Sequence, residues 1–596
     1  MDRRRFLQRS SAFFPIVALS GTALAHDDSR PAKDDSPSGI YKFPQGVASG
    51  DPRATSVVLW TRVQRSDGNA APVPVLLEVF EDPGCKRLLA RVRLVARAEF
   101  DHTVRTKLTQ LRPNTVYHYR FSAGKDVSPQ GRTKTTPEAR AHVDQLKFAW
   151  FTCQDWSVNH WGAMSLMAQE DYDFLVHVGD YIYETVDAAF QAGVAEPAHR
   201  AIQFPDGSAL PGGARYATTL ADYRTLYKTY RGDARLQALH SRFPFIATWD
   251  DHEFSDDAWQ DHQTYSNANL QQTARRRAAN QAWVEYMPVD FGDVCFNTAN
   301  EAYDNLRIYR DFKFGDLMHL VMTDQRLYRD DHVVPEAVIA QAQGHDPING
   351  SDSIGARYFI QQPVLQQFEA GKKAALGRAP SILGETQTQW FKHTLKHANA
   401  TWKLWGNELM LSRLWLDLRN QAPAPYNALY VVNGDAWDGY PSHKAEILGF
   451  LKQHQISNVV ALTGDLHAFQ CGVVRDVPDT ATGTPVLVDF VAAGISSSSF
   501  YSYVKAGAGT TPLAALVAAP AVFDAVLKAH NPDFAYVDHD AQGYASAVLS
   551  HTHLVVTFHK VQGLNADGSA PSHPLKKRTR ITLIAGTNTP LVEDNV

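Results

Sequence analysis

"FLVHVGDYIYE", residues 174–184, changes character halfway along. Phe174, Leu175, Val176 and Val178 form an apolar run suited to a buried strand, and Gly179 lets the backbone turn directly into Asp180. Three other runs end in the same way. "LKFAWFTC" (146–153) closes on Cys153, "FPFIATWDD" (243–251) runs into Asp250, Asp251, His252 and Glu253, and "ISNVVALTGD" (456–465) ends on Asp465 with His467 close behind. Between them lie helical patterns such as "ADYRTLYKTYRGDARLQALHSR", "QQTARRRAANQAWVEYM", "TQTQWFKHTLKHA" and "HKAEILGFLKQHQ". Strands alternating with helices predict an α/β domain, and ligands of such sheets gather beyond the carboxyl ends of the strands. One aspartate ending a strand is usually a turn former. Four strand ends delivering thiol, carboxylate and imidazole toward one edge predict a bound metal, because converged carboxylates without a cation repel one another.

The chain has 596 residues, which suggests about two to four domains. A formal net charge of -5 provides no basic footprint for nucleic acid. The cysteines Cys85, Cys153, Cys295 and Cys471 show no paired spacing and are too few for a disulfide scaffold. No run reaches the ~18 apolar residues of a membrane-spanning helix.

At the N-terminus, "DRRRFLQ" followed by "AFFPIVALSGTALA" has the basic start, short apolar stretch and Ala23-Leu24-Ala25 site of an export signal. The paired arginines before Phe6 and Leu7 resemble a bacterial twin-arginine signal. Residues 1–25 are therefore expected to be a signal and 26–40 a flexible leader. The mature protein is expected in the periplasm or outside the cell, with the twin-arginine machinery as its partner during export. From 41 to 140 short alternating strands predict a small all-β sandwich. "LRPNTVYHYRF" (111–121) resembles the tyrosine corner of immunoglobulin and fibronectin-like sandwiches. The α/β domain is expected over 145–560, with turn-rich insertions near 187–213 and 333–377 and a tail over 561–596.

The blocks "FTCQDW", "HVGDYIYE", "WDDHEF", "DAWDGYP" and "TGDLH", in this order, resemble the alkaline phosphatase D (PhoD-like) family of the calcineurin-like metallophosphoesterases. The resemblance implies that family's α/β fold, an αββα sandwich, preceded by the β-sandwich. It also implies an iron and calcium centre. Asp180 would bridge two ions, and Cys153, Tyr183 and His467 would complete a ferric site, since thiolate and phenolate are anionic donors. Asp251 and Asp465 would help hold calcium, with Asp250 one residue away as the alternative. Where the wider superfamily carries Asn and His, this chain has Asp251 and Asp465, so the second position is oxygen-rich.

The implied activity is hydrolysis of phosphate monoesters, diesters or both, by a metal-activated hydroxide attacking phosphorus in line. His252 is the candidate catalytic residue, either stabilising the transition state or protonating the leaving alkoxide, with a hydrogen-bonding role in support of the metal ligands as the alternative. Asp250, Arg326 and Asn407 are candidates to reach phosphate or metal, with structural roles the alternative. Asp435 and Asp438 are expected to support the loop. Two narrower readings stand beside this one: a phospholipase D-like diesterase, and a non-catalytic surface binding protein stabilised by its metals.

Overall fold

The computed structural model describes residues 16–18, 38–188, 191, 194–265, 269–344 and 359–596. Of the expected export signal and leader, Ile16–Ala18 forms a short strand; residues 1–15 and 19–37 lie outside the described residues.

The N-terminal region supplies strands β1 (Val47–Gly50), β2 (Ser56–Arg62), β3 (Val73–Phe80), β4 (Leu88–Ala96), β5 (Thr103–Thr109), β6 (Val116–Ala123) and β7 (Gly131–Lys134). β4 alternates buried and exposed residues, the period-two pattern of a half-buried strand. β3, β4, β6 and β7 make one sheet and β1, β2 and β5 face it. Between them pack Val57, Leu59, Val75, Leu77, Val92, Leu94, Tyr119 and Phe121. The expected tyrosine corner is present: the Tyr117 hydroxyl accepts the Arg112 backbone N–H at 2.9 Å.

This sandwich is not a separate bead. β1 lies parallel to β10 (Pro244–Thr248), with Ser49 opposite Pro244 and Gly50 opposite Phe245. The sheet then runs on through β9 (Phe174–Val178) and β8 (Gln145–Phe151), all parallel. A second sheet comprises β11 (Arg310–Phe314), β12 (Met318–Met322), β13 (Trp402–Gly406), β14 (Val459–Thr463), β15 (Phe469–Arg475), β16 (Pro485–Val491) and β17 (Phe534–Asp538). Its centre, β12, β13, β14 and β16, is parallel. The chain returns to the first sheet as β18 (Gly543–Ser550), antiparallel to β8, and then β19 (His553–Val561). The expected tail after 561 instead adds β20 (Leu575–Ile584) and β21 (Leu591–Asp594) to the same sheet.

The two sheets face each other across one core. Alternation sends Phe174, Val176 and Val178 into it, beside Trp150, Ile246, Leu320, Leu404, Leu462 and Phe490. Their strand neighbours Leu175, Phe151 and Ala247 face outward, where Tyr223, Leu226, Leu239 and Trp283 cover them. These come from helices Leu220–Tyr230, Ala234–Arg242 and Thr273–Tyr286. Thr219 and Asp222 begin the first of these with a capping box, and Asp233 caps the second. Helices Glu385–Lys396 and Pro441–Gln453 cover the far face of the second sheet through Phe391, Leu395, Ile447 and Leu451. The central strands of both sheets are thus buried on both faces, which fixes the carboxyl ends of β8, β9, β10 and β14 on a rigid rim.

The stretches expected as insertions are partly ordered into small elements. Thr185–Val186, Ser208–Ala209 and Arg215–Tyr216 form a three-stranded sheet. Phe359–Gln361 pairs with Leu429–Val432 and leads into helix Gln362–Leu376. No helix among the described residues is long and apolar enough to cross a membrane.

Candidate metal centre

The four strand ends meet. Ligand atoms of Cys153, Asp180 and His467 lie within 4.8 Å of one another, as do those of Asp180, Asp251 and His252, and of Asp250, Asp251 and Asp465. Asp180 belongs to the first two groups and so stands between them. Tyr183 joins the first: its hydroxyl is 3.2 Å from Asp180 Oδ2 and 3.1 Å from His467 Nε2.

The backbone is bent to make this possible. Cys153, Asp180, Asp465 and His467 all have positive φ, at 54°, 58°, 61° and 58°. Non-glycine residues rarely adopt that region, and where they do the strain gathers at functional sites. Gly179, with φ 109°, brings the β9 backbone so near to β10 that a Cβ would stand 2.3 Å from Asp250 Cβ. Glu253 then ties the two loops together. Its carboxylate accepts the backbone N–H groups of Asp180 at 3.1 Å, Tyr181 at 2.7 Å and Asp250 at 2.8 Å.

Each histidine is held in a defined tautomer. His467 Nδ1 donates to the Ser498 carbonyl at 2.8 Å, which leaves the Nε2 lone pair facing Tyr183 and the cluster. His252 Nδ1 is 2.7 Å from Glu184 Oε2, and its ring stacks on Tyr183 with centroids 4.1 Å apart. His252 Nε2 points toward Asp256 Oδ1 at 3.6 Å, across a pocket lined by Asp180, Asp251, Asp257, Asp465, His467 and Tyr503.

The electrostatics of these groups call for a cation. Burial pushes Asp180 well above the ordinary carboxylate range; His252 opposes this, while Asp251, Asp250 and Glu253 add to it. Asp465 is raised well above its usual value by burial and then by Asp250. Burial and the Asp180 charge raise the Cys153 thiol, and burial with Cys153 and Asp180 raises the Tyr183 phenol. Burial moves Asp250 up to about 7 even though Arg326 pulls the other way. Oδ1 of Asp180, Oδ2 of Asp250 and Oδ1 of Asp251 are buried without a hydrogen-bond partner. Orphaned carboxylate oxygens, a thiol, a phenol and an imidazole nitrogen on one small volume fit one or more bound cations. A cation would reverse every one of these shifts.

Arg326 and Asn407 take other positions than phosphate contacts. Arg326 is fully buried, bonded through Nε to Asp250 and at 2.8 Å to Asp435, and 3.5 Å from Asp251. It is a fixed counter-charge behind the acids. Asn407 lies outside the pocket, its amide spent on Leu409, Thr463, Gln325 and Trp437. Asp435 is held well below the usual range: burial opposes this, but Arg326, Arg329 and His332 outweigh it. Asp438 accepts the Leu414 N–H and pairs with Lys444, an anchor away from the centre.

Several participants carried no assigned role in the sequence. Glu184 and Glu253 sit inside the quoted motifs, one residue beyond Tyr183 and His252, and that adjacency was the available signal. Ser497, whose hydroxyl is 3.1 Å from the Tyr183 oxygen and donates to the Cys153 carbonyl, follows β16 some 300 residues away. Asn433, 3.3 Å from Asp465, directly follows the strand Leu429–Val432. Neither has a local pattern that marks it.

Comparison with known proteins gives consistent matches. A family model described as PhoD-like phosphatase matches residues 148–558, and the PhoD-like phosphatase N-terminal domain matches residues 28–137. Alkaline phosphatase D of Bacillus subtilis (strain 168) is 31% identical over 481 residues, covering 78% of this chain and 71% of that protein. A solved structure of PhoD superposes with a TM-score of 0.72 at 25% identity, covering 94% of this chain and 93% of its own.

Proposed function

This chain belongs to the PhoD-like phosphatase family and is a phosphoric-ester hydrolase, and we propose that Cys153, Asp180, Tyr183, Asp251, Asp465 and His467 make it a metal-dependent one. The carrying observation is the buried Asp180 carboxylate, shared by two ligand groups and left with an unpartnered oxygen. The thiol, phenol and imidazole on one side suit a ferric ion; the carboxylates on the other suit a hard cation such as calcium. This is the donor set expected of an αββα metallophosphoesterase-type site. When bound, such ions neutralise phosphoryl charge and bring the pKa of bound water toward about 7.

The chain's own residues do the rest. Burial pushes His252 down, but Asp251, Glu184 and Asp180 more than reverse this and hold it well above the usual imidazole range. With Nδ1–H donated to Glu184, the Nε2 edge of His252 faces the pocket, which suits it to act as general acid toward the leaving alkoxide. Glu253 and Gly179 keep the β9 and β10 loops in contact, so the acids do not drift apart. Phe500 and Tyr503 form part of the pocket wall.

The basic start and apolar stretch of residues 1–25 support export by the twin-arginine route and a periplasmic or extracellular location. The test is metal analysis of purified protein alongside hydrolysis of p-nitrophenyl phosphate, its bis-ester and phosphatidylcholine. Iron with calcium and cleavage of the simple esters support the reading. Full activity after exhaustive chelation, with no metal found, would overturn it. Faster cleavage of phosphatidylcholine than of either simple ester would move the substrate class to phospholipids.

A further inference from the structure

A second group of metal-ligating side chains lies at the opposite ends of the strands. His142 belongs to the connector between the sandwich and β8, Asp316 to the turn between β11 and β12, and His551 to the turn between β18 and β19. These turns are at the amino end of β8, since Gln145 pairs with Ser550, whereas the candidate centre lies past its carboxyl end. One ligand atom from each of the three residues falls within a common 4.8 Å.

The arrangement is more specific than proximity. His551 Nδ1 is 2.7 Å from the Thr401 hydroxyl, and that hydroxyl is itself directed at the Asp316 carbonyl at 3.5 Å. The short contact to Thr401 fixes the His551 ring with Nε2 turned toward Asp316. That Nε2 is buried, has no hydrogen-bond partner and stands 3.3 Å from Asp316 Oδ1. Protonated, that nitrogen is an ion-pair partner of Asp316; deprotonated, it and the carboxylate oxygen are two donors aimed at one point. On the other side His142 Nδ1 is 2.9 Å from Asp316 Oδ2, while its Nε2 is 3.3 Å from Asp144. The two imidazole rings are parallel within 6°, with centroids 4.9 Å apart, so both edges present to the same carboxylate.

We infer that His142, Asp316 and His551 form a second cation site, of zinc type, that pins the connector to the hairpins of both sheets. Zinc binds imidazole nitrogen and carboxylate oxygen at about 2.0 Å, which places tetrahedral ligand atoms roughly 3.3 Å apart, close to the separations present. Two nitrogen donors select a transition ion over calcium or magnesium. Asp144 on His142 and Thr401 on His551 are the outer partners that fix the orientation of metal-binding imidazoles. Three protein ligands leave a fourth position for water on the exposed side. The connector is already drawn in, because Asp316 N–H donates to the Ala141 carbonyl at 2.9 Å and Val143 N–H to Asp316 Oδ1 at 3.1 Å. The ion would therefore be structural, joining three turns that are far apart in sequence.

The test is zinc titration by calorimetry on the intact protein, wild type against His551→Gln and Thr401→Val. Ions taken up elsewhere cancel, because the readout is the difference between variants. The wild type should bind one more zinc equivalent than His551→Gln, and Thr401→Val should bind that equivalent about 10–100-fold more weakly. Zinc-edge X-ray absorption should show imidazole scattering that diminishes in His551→Gln. Unchanged ester hydrolysis in both variants checks that they are folded; should His551→Gln not fold, Thr401→Val decides alone. Equal stoichiometry and affinity in wild type and folded variants would overturn the inference.

Discussion

The hydroxyl of Tyr183 lies 3.1 Å from Nε2 of His467, although 284 residues separate the two in the chain. The contact joins the end of β9 to the end of β14, one from each sheet, so the two sheets must be correctly apposed before these donors can meet. With the Cys153 thiol on the same buried volume, this is the part of the centre proposed above to hold the ferric ion. Tyr183→Phe keeps the ring stacked on His252 and removes only the oxygen. The variant should lose any visible phenolate-to-iron absorption band, and its iron affinity should fall by more than the ~10–100-fold typical of losing a merely orienting group. An unchanged spectrum would remove Tyr183 from the ligand set.

Asp180 serves both ligand groups, so Asp180→Ala should deplete both ions and abolish hydrolysis. Metal analysis by mass spectrometry checks this. Retention of one full equivalent would show that Asp180 does not bridge.

His252 and Glu184 separate positioning from proton transfer. His252→Gln should lower kcat about 10²–10⁴-fold for an alkyl ester, whose leaving group needs a proton. The loss should be much smaller for an ester releasing p-nitrophenolate, which departs unprotonated. Glu184 is among the charges that raise His252, so Glu184→Gln lowers the pH at which the imidazole proton is lost. The basic limb of the kcat profile should therefore move to lower pH, a shift that a purely structural defect would not produce.

Chelation should expose the acids to one another. Burial raises Asp250 from 3.8 to about 7 and Glu253 from 4.5 to about 7, and it raises Asp180 and Asp465 as well. Through these four carboxyls the metal-free folded state takes up protons between about pH 4 and 7 that the unfolded chain does not, while His467, lowered to about 4 by burial, opposes part of this. The carboxyls' contribution to stability is present in full below that window and is lost as pH rises through it. The Tm of chelated protein should fall from pH 5 to pH 8, and added metal should flatten the dependence. Differential scanning calorimetry with and without chelator measures both.

Glu253 collects three backbone N–H groups from two loops. Glu253→Ala leaves those donors buried and unpaired at a cost of about 1–3 kcal/mol each at most. Both Tm and metal uptake should drop, whereas Glu253→Gln, which retains one acceptor, should lose less of each.

Much of this centre was legible from the residues alone, because a buried parallel strand leaves a continuous apolar run and its ligands follow within a few positions. Cys153, Asp180, Asp251, Asp465 and His467 all fall just past such runs. What the sequence concealed were partners whose meaning depends on distant neighbours. Arg326 follows a strand, as a phosphate-binding arginine would, yet three buried aspartates surround it instead. Asn407 follows another, but its amide closes a network between Gln325, Thr463 and Trp437. Ser497 and Asn433 lie on loops with no periodicity. The last strands, β20 and β21, read as tail because one carries Lys576, Lys577, Arg578 and Arg580 and the other is four exposed residues, an outer-strand pattern with little core signal.

The parallel contact of β1 with β10 bears on how this protein can be handled and how it can evolve. β10 carries Asp250 and Asp251, and the neighbouring strand on one of its sides comes from the N-terminal sandwich. Arg310 clamps the same seam through its 2.7 Å ion pair with buried Asp51. A shortened chain beginning near residue 145 would leave β10 with bare amide and carbonyl groups and Arg310 without its counter-charge. Such a margin is a template for self-association, so the truncated protein should precipitate or form oligomers through β10 before it binds metal. The sandwich is thus the edge guard of the catalytic sheet, and a shuffled catalytic region would need another strand in its place.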